Sequence, residues 1–208
     1  IMGRSGEGKS VLLKHIIGLI KPDSGSIFID GVDITTLKED EIKDIRKRFG
    51  MLFQSSALFD DMTVLENVGF SLMEHTCLSY EEICKLVKEK LELVDLRDIE
   101  NIKPAELSGG MKKRVGLARA IAMNPEIILF DEPTTGLDPI TGKTIDELIV
   151  RLKQKLNMTG VAVTHDITSA FRIADRISFL HKGKIIGIYK PEEIKDAKED
   201  VIREFLSV

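Results

Sequence analysis

Apolar positions along the 208-residue chain recur at two spacings. Residues 10–20 are apolar with Gly18 as the one breaker, which reads as a helix closed by the turn at 21–25. Residues 26–29 and 32–34 flank Asp30-Gly31, a two-residue hairpin signal. Residues 39–48 read as a charged helix, and 49–53 as a short buried strand. A helical stretch follows. Thr63 with Glu66, and Ser79 with Glu82, form capping boxes that open helices. The second of these carries Ile83, Val87, Leu91 and Val94 on one face. A third helix is expected over 108–123. Beyond it, 127–130 is a buried-type strand. Residues 139–156 form an amphipathic helix with Ile145, Leu148, Ile149, Leu152 and Leu156 facing in. Residues 161–164 read as a strand and 167–174 as a helix. Residues 176–180 and 184–188 pair across Lys182-Gly183, and the segment from Glu192 is charged and helical. Strand and helix alternate over most of the length, which predicts an α/β fold. The expected organisation is one domain, with 1–59 and 124–208 as its core and 60–123 as an inserted helical subdomain.

Composition narrows the class. With 43% hydrophobic and 31% charged residues the chain has the balance of a folded soluble domain. Its apolar runs span a strand and not a bilayer, and the opening residues lack a signal-peptide pattern. A net charge of −4 implies no broad basic face, so nucleic acid is not an expected partner. Cys77 and Cys84 are too few for a disulfide scaffold and fit no metal-site spacing, which points to a reducing compartment.

The chemistry sits in separate short motifs. Gly3-Arg4-Ser5-Gly6-Glu7-Gly8-Lys9-Ser10 fits the phosphate-loop pattern ahead of a helix. Its glycines let backbone N–H groups converge on a phosphate, and the next helix adds its dipole. Lys9 supplies a point charge for the β- and γ-phosphates, and the Ser10 hydroxyl is a hard oxygen ligand for Mg²⁺. Residues 127–130 run into Asp131 and Glu132. Asp131 is placed to reach Mg²⁺, and Glu132 to orient and activate an attacking water. Gln54 ends one strand and His165 another. The Gln54 amide oxygen suits the Mg²⁺ shell or the water, and the His165 imidazole suits a γ-phosphate. Ser108-Gly109-Gly110 opens a helix with exposed N–H groups. One ATP rarely needs two helix starts from one chain, so this second anion site suits a partner's nucleotide.

In order and over essentially the whole chain, these motifs resemble the nucleotide-binding domain of ABC transporters. Gly3 to Ser10 looks like Walker A, Gln54 like the Q-loop, and 107–111 like the signature motif. Residues 127–132 look like Walker B, 136–139 like the D-loop with Asp138 among the nucleotide contacts, and His165 like the switch histidine. The resemblance implies a P-loop NTPase of ABC type, with a mostly parallel sheet flanked by helices. It implies a head-to-tail homodimer with two ATPs and Mg²⁺, each ATP held between Walker A of one copy and Ser108-Gly109-Gly110 of the other. Residues 51–64, Glu74-His75-Thr76, Met111 and 138–141 are similar to the MlaF-type branch, which powers MCE-type phospholipid transport. That branch implies a peripheral protein on the cytoplasmic face of the inner membrane. Its implied partners are an integral permease, an MCE-domain lipid-binding protein and a STAS-domain regulator. An amino-acid-type importer ATPase and an Fe–S assembly ATPase are the alternatives. Only Ile1 and Met2 precede the loop, so the chain is expected to lack the N-terminal strands of this fold. Exposed ladder hydrogen bonds, exposed apolar neighbours and low stability are expected with that loss. No adenine-stacking residue is identified.

Overall fold

The computed structural model describes residues 1–207. In chain order the helices are α1 (Lys9–Ile16), α2 (Glu39–Lys47), α3 (Val64–His75), α4 (Tyr80–Leu93), α5 (Gly109–Ala120), α6 (Pro139–Leu156), α7 (Ile167–Ile173) and α8 (Asp200–Leu206). The strands are β1 (Phe28–Ile29), β2 (Val32–Asp33), β3 (Phe49–Leu52), β4 (Ile127–Asp131), β5 (Thr159–Val163), β6 (Ile177–His181) and β7 (Lys184–Tyr189). Two compact units result, one of residues 1–46 with 162–207, the other Lys47–Val161. The second boundary falls inside β5. Among the described residues no helix is long and apolar enough to cross a membrane.

In the first unit, α1 stops short of the expected length. Gly18 adopts φ +71°, its N–H bonds to His15 O, and Leu19 N–H bonds to Lys14 O. The glycine is thus the left-handed residue of a Schellman stop and not an interior helical residue. The hairpin at Asp30-Gly31 forms as β1 and β2, and β6 pairs antiparallel with β7 across Lys182-Gly183. Residues 1 and 2 hold a strand position. Met2 N–H bonds to Ser178 O, Leu180 N–H to Met2 O, and Thr164 N–H to Ile1 O. Ladder bonds expected to lie open at this point are made, because two residues suffice to bridge both neighbours. The Met2 side chain is fully buried with Ile177, Phe179, Ala170, Ile194, Ala197 and Ile202. Phe205 of α8 closes this core edge-on to Phe179, with ring centroids 5.1 Å apart. Apolar side chains do stand exposed elsewhere in the unit, Phe28 at 63% and Leu19 at 52%. The terminal segment is helical only as a short 3-10 turn at Ile194–Asp196 and as α8.

In the second unit, β3 and β4 run parallel with Phe49 opposite Ile127 and Leu52 opposite Phe130, and β5 follows on the far side of β4. Parallel strands buried on both faces read as unbroken apolar runs, as 127–130 does. Both capping boxes form: Thr63 and Glu66 exchange bonds at α3, Ser79 and Glu82 at α4. Helices α3, α4 and α5 pack on one another, with Val68, Leu72, Val87, Leu91 and Leu117 buried along them and Ile121 buried at the end of α5. The helix expected over 108–123 ends at Ala120, and that expected over 139–156 keeps its bounds as α6.

Candidate active site

The first unit carries the phosphate loop. Gly6 and Gly8 sit at φ +83° and +93°, a region closed to most side chains, and this lets the loop wrap inward. Gly8 stands at the N-cap of α1 with no side-chain capping bond, so the positive end of the helix dipole lies at the loop. The Lys9 ammonium is buried and folds back onto Gly3 O at 2.9 Å and Arg4 O at 3.2 Å. The remaining side chains of the loop reach late parts of the chain. Arg4 pairs with Glu204 of α8 at 2.8 Å. Glu7 accepts from Lys182 N–H and lies 3.2 Å from His181 Nδ1. His165 is exposed one residue past Thr164, which pairs in parallel with Met2, so imidazole and loop start from adjacent strand ends. Asp166 N-caps α7 next to it through Ser169 N–H.

The second unit carries the acidic pair. Asp131 ends β4 and Glu132 follows it, and both are more than nine-tenths buried. Glu132 has φ +48°, a left-handed backbone costing about 1–3 kcal/mol for a residue with a side chain. Its carboxylate accepts from the Thr135 hydroxyl at 3.2 Å. Ser108 is the N-cap of α5, accepting from Met111 N–H, with Ser108 and Gly109 exposed at the helix start. Asp138 N-caps α6, accepting from Ile140 and Thr141 N–H at 3.0 Å each. The Thr141 bonds, with that from Ile140, hold its carboxyl below the usual range. Gln54 lies exposed two residues beyond β3.

Three residues of this unit escaped the reading of the motifs. Lys113 of α5 is 4% exposed and donates to the main-chain carbonyls of both Gln54 and Glu132. Burial lowers its pKa, while the charges of Asp131 and Glu132 work in the opposite direction. Arg119, also on α5, donates to Ser56 O and Ala57 O at 2.7 Å each. Ser56 and Ala57 both have left-handed backbones, so the arginine holds a strained turn directly after Gln54. Asn67 of α3 is wholly buried and bonds the main chain of Phe59, Met62 and Thr63. A signal for Lys113 exists in the sequence. It lies three, four and seven residues before Gly116, Leu117 and Ala120, on the helix's buried face.

Beside this segment lies an open cleft of about 390 Å³ lined by Met51, Phe53, Ala57, Phe59, Phe70 and Met123, among others. Phe59 and Phe70 pack tilted at 48° with centroids 5.1 Å apart, and the Arg119 guanidinium sits 5.9 Å over the Phe59 ring.

The chain is similar to known proteins over nearly its whole length. The ABC transporter family profile matches residues 1–135. The chain is 45% identical over 206 residues to the intermembrane phospholipid transport system ATP-binding protein MlaF of Haemophilus influenzae, covering 99% of this chain and 78% of that protein. It is 42% identical over 207 residues to the probable ribonucleotide transport ATP-binding protein mkl of Mycobacterium leprae, of which it spans 60%. Among solved structures it is similar to the ATP-binding cassette MJ0796, a dimer in a post-hydrolysis state bound to ADP and Pi. The TM-score there is 0.83 at 40% identity, covering 91% of this chain and 83% of that one. With family profile, relatives and cassette fold in agreement, the chain belongs to the ABC transporter family and is one of its ATPases.

Proposed function

We propose that this ATPase powers phospholipid movement between membranes of a bacterial envelope. The observation that carries this reading is its 45% identity to a phospholipid-transport ATPase over 99% of its length. On this reading the protein works as a head-to-tail homodimer on the cytoplasmic face of the inner membrane. It is bound there to an integral permease, with an MCE-domain lipid-binding protein and a STAS-domain regulator as further partners. The cleft beside Phe59 supports a permease contact, because it offers a helix from a membrane subunit an apolar floor with one cationic rim.

The residue roles follow from the chemistry of each group. Gly3, Arg4, Ser5, Gly6, Glu7 and Gly8 present the loop backbone to the phosphates, and Lys9 adds a charge-assisted bond. Ser108, Gly109 and Gly110 present a second helix start to the partner copy's ATP, with Asp138 beside them in the D-loop. Glu132 accepts a proton from the attacking water, Gln54 orients that water, and His165 donates to the γ-phosphate. The proposed Mg²⁺ ligands are the Ser10 hydroxyl, the Gln54 amide oxygen and the Asp131 carboxylate, an all-oxygen set of the kind hard cations prefer. Among the described residues no group of three or more His, Cys, Asp or Glu could hold a metal ion. The ion would arrive on the nucleotide's phosphates and be neutralised in part by them. When bound, it supplies charge stabilisation to the γ-phosphoryl group.

The test is reconstitution with its membrane subunits in vesicles holding a fluorescent phospholipid, with Glu132→Gln as the inactive control. ATP-dependent lipid transfer lost in Glu132→Gln is the expected result. Transfer of ribonucleotides instead of lipid, as the name of the mycobacterial relative would suggest, overturns the substrate. Parental turnover in Glu132→Gln overturns the base.

A further inference from the structure

The signature helix α5 grips the second unit's reactive segments by their main chains. Lys113 is the central contact. Its buried ammonium reaches the carbonyl of Gln54, two residues past β3, and the carbonyl of Glu132, directly past β4. These strands are parallel neighbours in register, Leu52 opposite Phe130, so one side chain spans the ends of both. The acceptors are peptide carbonyls, so an ammonium held here fixes backbone orientation. At Glu132 that orientation is the left-handed one, and it sets where the carboxylate points. At Gln54 the same bond anchors the start of a turn whose carbonyls at Ser56 and Ala57 are held by Arg119, six residues further along α5. Burying a lysine for stability alone makes poor sense, since an apolar side chain of similar volume carries no desolvation cost.

We propose that Lys113 is a positioning residue for ATP hydrolysis, locking the main chains of Gln54 and Glu132 to one another so that displacement of the 54–57 turn is felt at the catalytic carboxylate. The inference rests on the roles proposed above for Gln54 and Glu132. It adds a mechanical link between the turn bordering the Phe59 cleft and the group that activates water. Phosphate binding belongs to the loop at 3–10 and does not pass through Lys113. Loss of the lysine therefore lowers kcat and spares KM for ATP.

The experiment compares Lys113→Met, Lys113→Gln and Lys113→Arg with the parent in steady-state ATPase assays on the intact protein. Rates are normalised to nucleotide-binding sites counted by titration. Lys113→Met is expected to lose between about 10- and 100-fold in kcat, the scale of a misplaced catalytic group, with KM for ATP changed less than about threefold. Lys113→Arg keeps two donors and recovers most of the rate, and Lys113→Gln, with one carboxamide, falls between. A purely structural role predicts fewer active sites at unchanged kcat per site, and that result overturns the inference. Should Lys113→Met not fold, the ordering of Gln below Arg in kcat per site still decides, and equal values overturn it. Glu132→Gln is run in parallel. If it turns over like the parent, the base reading fails and this inference with it. If it is inactive while Lys113→Met turns over normally, only the coupling by Lys113 is wrong.

Discussion

Asn67 offers the most direct test of how the segment after Gln54 is held. Its carboxamide accepts from Phe59 N–H at 2.8 Å and donates to Phe59 O at 3.0 Å, Met62 O at 3.2 Å and Thr63 O at 3.0 Å. Two of these acceptors have a second donor. Phe59 O also takes Met62 N–H, and Thr63 O takes Asn67 N–H. Truncation to alanine therefore strands Phe59 N–H and Met62 O and merely weakens the other two. A stranded group that is partly buried costs about 1 kcal/mol, at the low end of the usual range, and each shared bond about 0.5 kcal/mol. Alanine returns about 0.5 kcal/mol of helix propensity. The expected loss is about 2–3 kcal/mol. Urea unfolding followed by helical circular dichroism measures it, with the slope against urea unchanged. Asn67→Asp keeps the acceptor but turns a carboxylate toward three carbonyls, and should be at least as destabilised. A change below about 0.5 kcal/mol in Asn67→Ala, the range of an ordinary surface substitution, would refute the reasoning.

Three further outcomes follow from the geometry. Gly50→Ala places a Cβ 2.1 Å from Ala120 O and 3.1 Å from Pro125 Cγ. Because the obstruction is backbone, a loss above about 2 kcal/mol or failure to yield folded protein is expected, read from thermal melts. Lys9→Ala removes the ammonium of the phosphate loop, and a charge-assisted bond of about 1.5–3 kcal/mol corresponds to a drop in ATP affinity of about tenfold or more, measured by equilibrium dialysis. Glu66 and Glu82 have pKa values lowered by their capping bonds to Thr63 and Ser79. Their contribution is complete above the ordinary glutamate range and lost as acid takes them through the lowered values. Replacing both by glutamine should flatten the acid limb of the stability curve, and an unchanged limb would show the capping bonds to be inert.

The parts of the fold legible in the sequence are those governed by neighbours in the chain. The capping boxes at Thr63 and Ser79, the hairpin at Asp30-Gly31 and the strand ending at Asp131 each depend on a few adjacent residues, and each forms. The first helix overran because Gly18 reads alike as a tolerated interior residue or a stop, and only its left-handed φ decides. Residues 1 and 2 fill a strand position through partners more than 160 residues away, which no local pattern reports. The phosphate loop and the acidic pair were legible because their residue types are rare in that order. Lys113 was hidden among Lys112 and Arg114, where a run of three cations reads as a solvated face. Asn67 was hidden because its bonds go to backbone, which carries no sequence signal.

The two anchors of the phosphate loop bear on how the protein is made. Arg4 is tied to Glu204, and Glu7 to His181 and Lys182, across separations of 200, 174 and 175 residues. A chain emerging from the ribosome at roughly 5–20 residues per second exposes the loop sequence well before its anchors. The loop's glycines leave it pliable until then. The two side-chain ties of the loop are thus acquired only once the β6–β7 turn and α8 have been synthesised. A nascent chain that has not yet reached those elements presents the motif without its long-range ties, so the shape of the loop is a property of distant sequence and not of the motif alone.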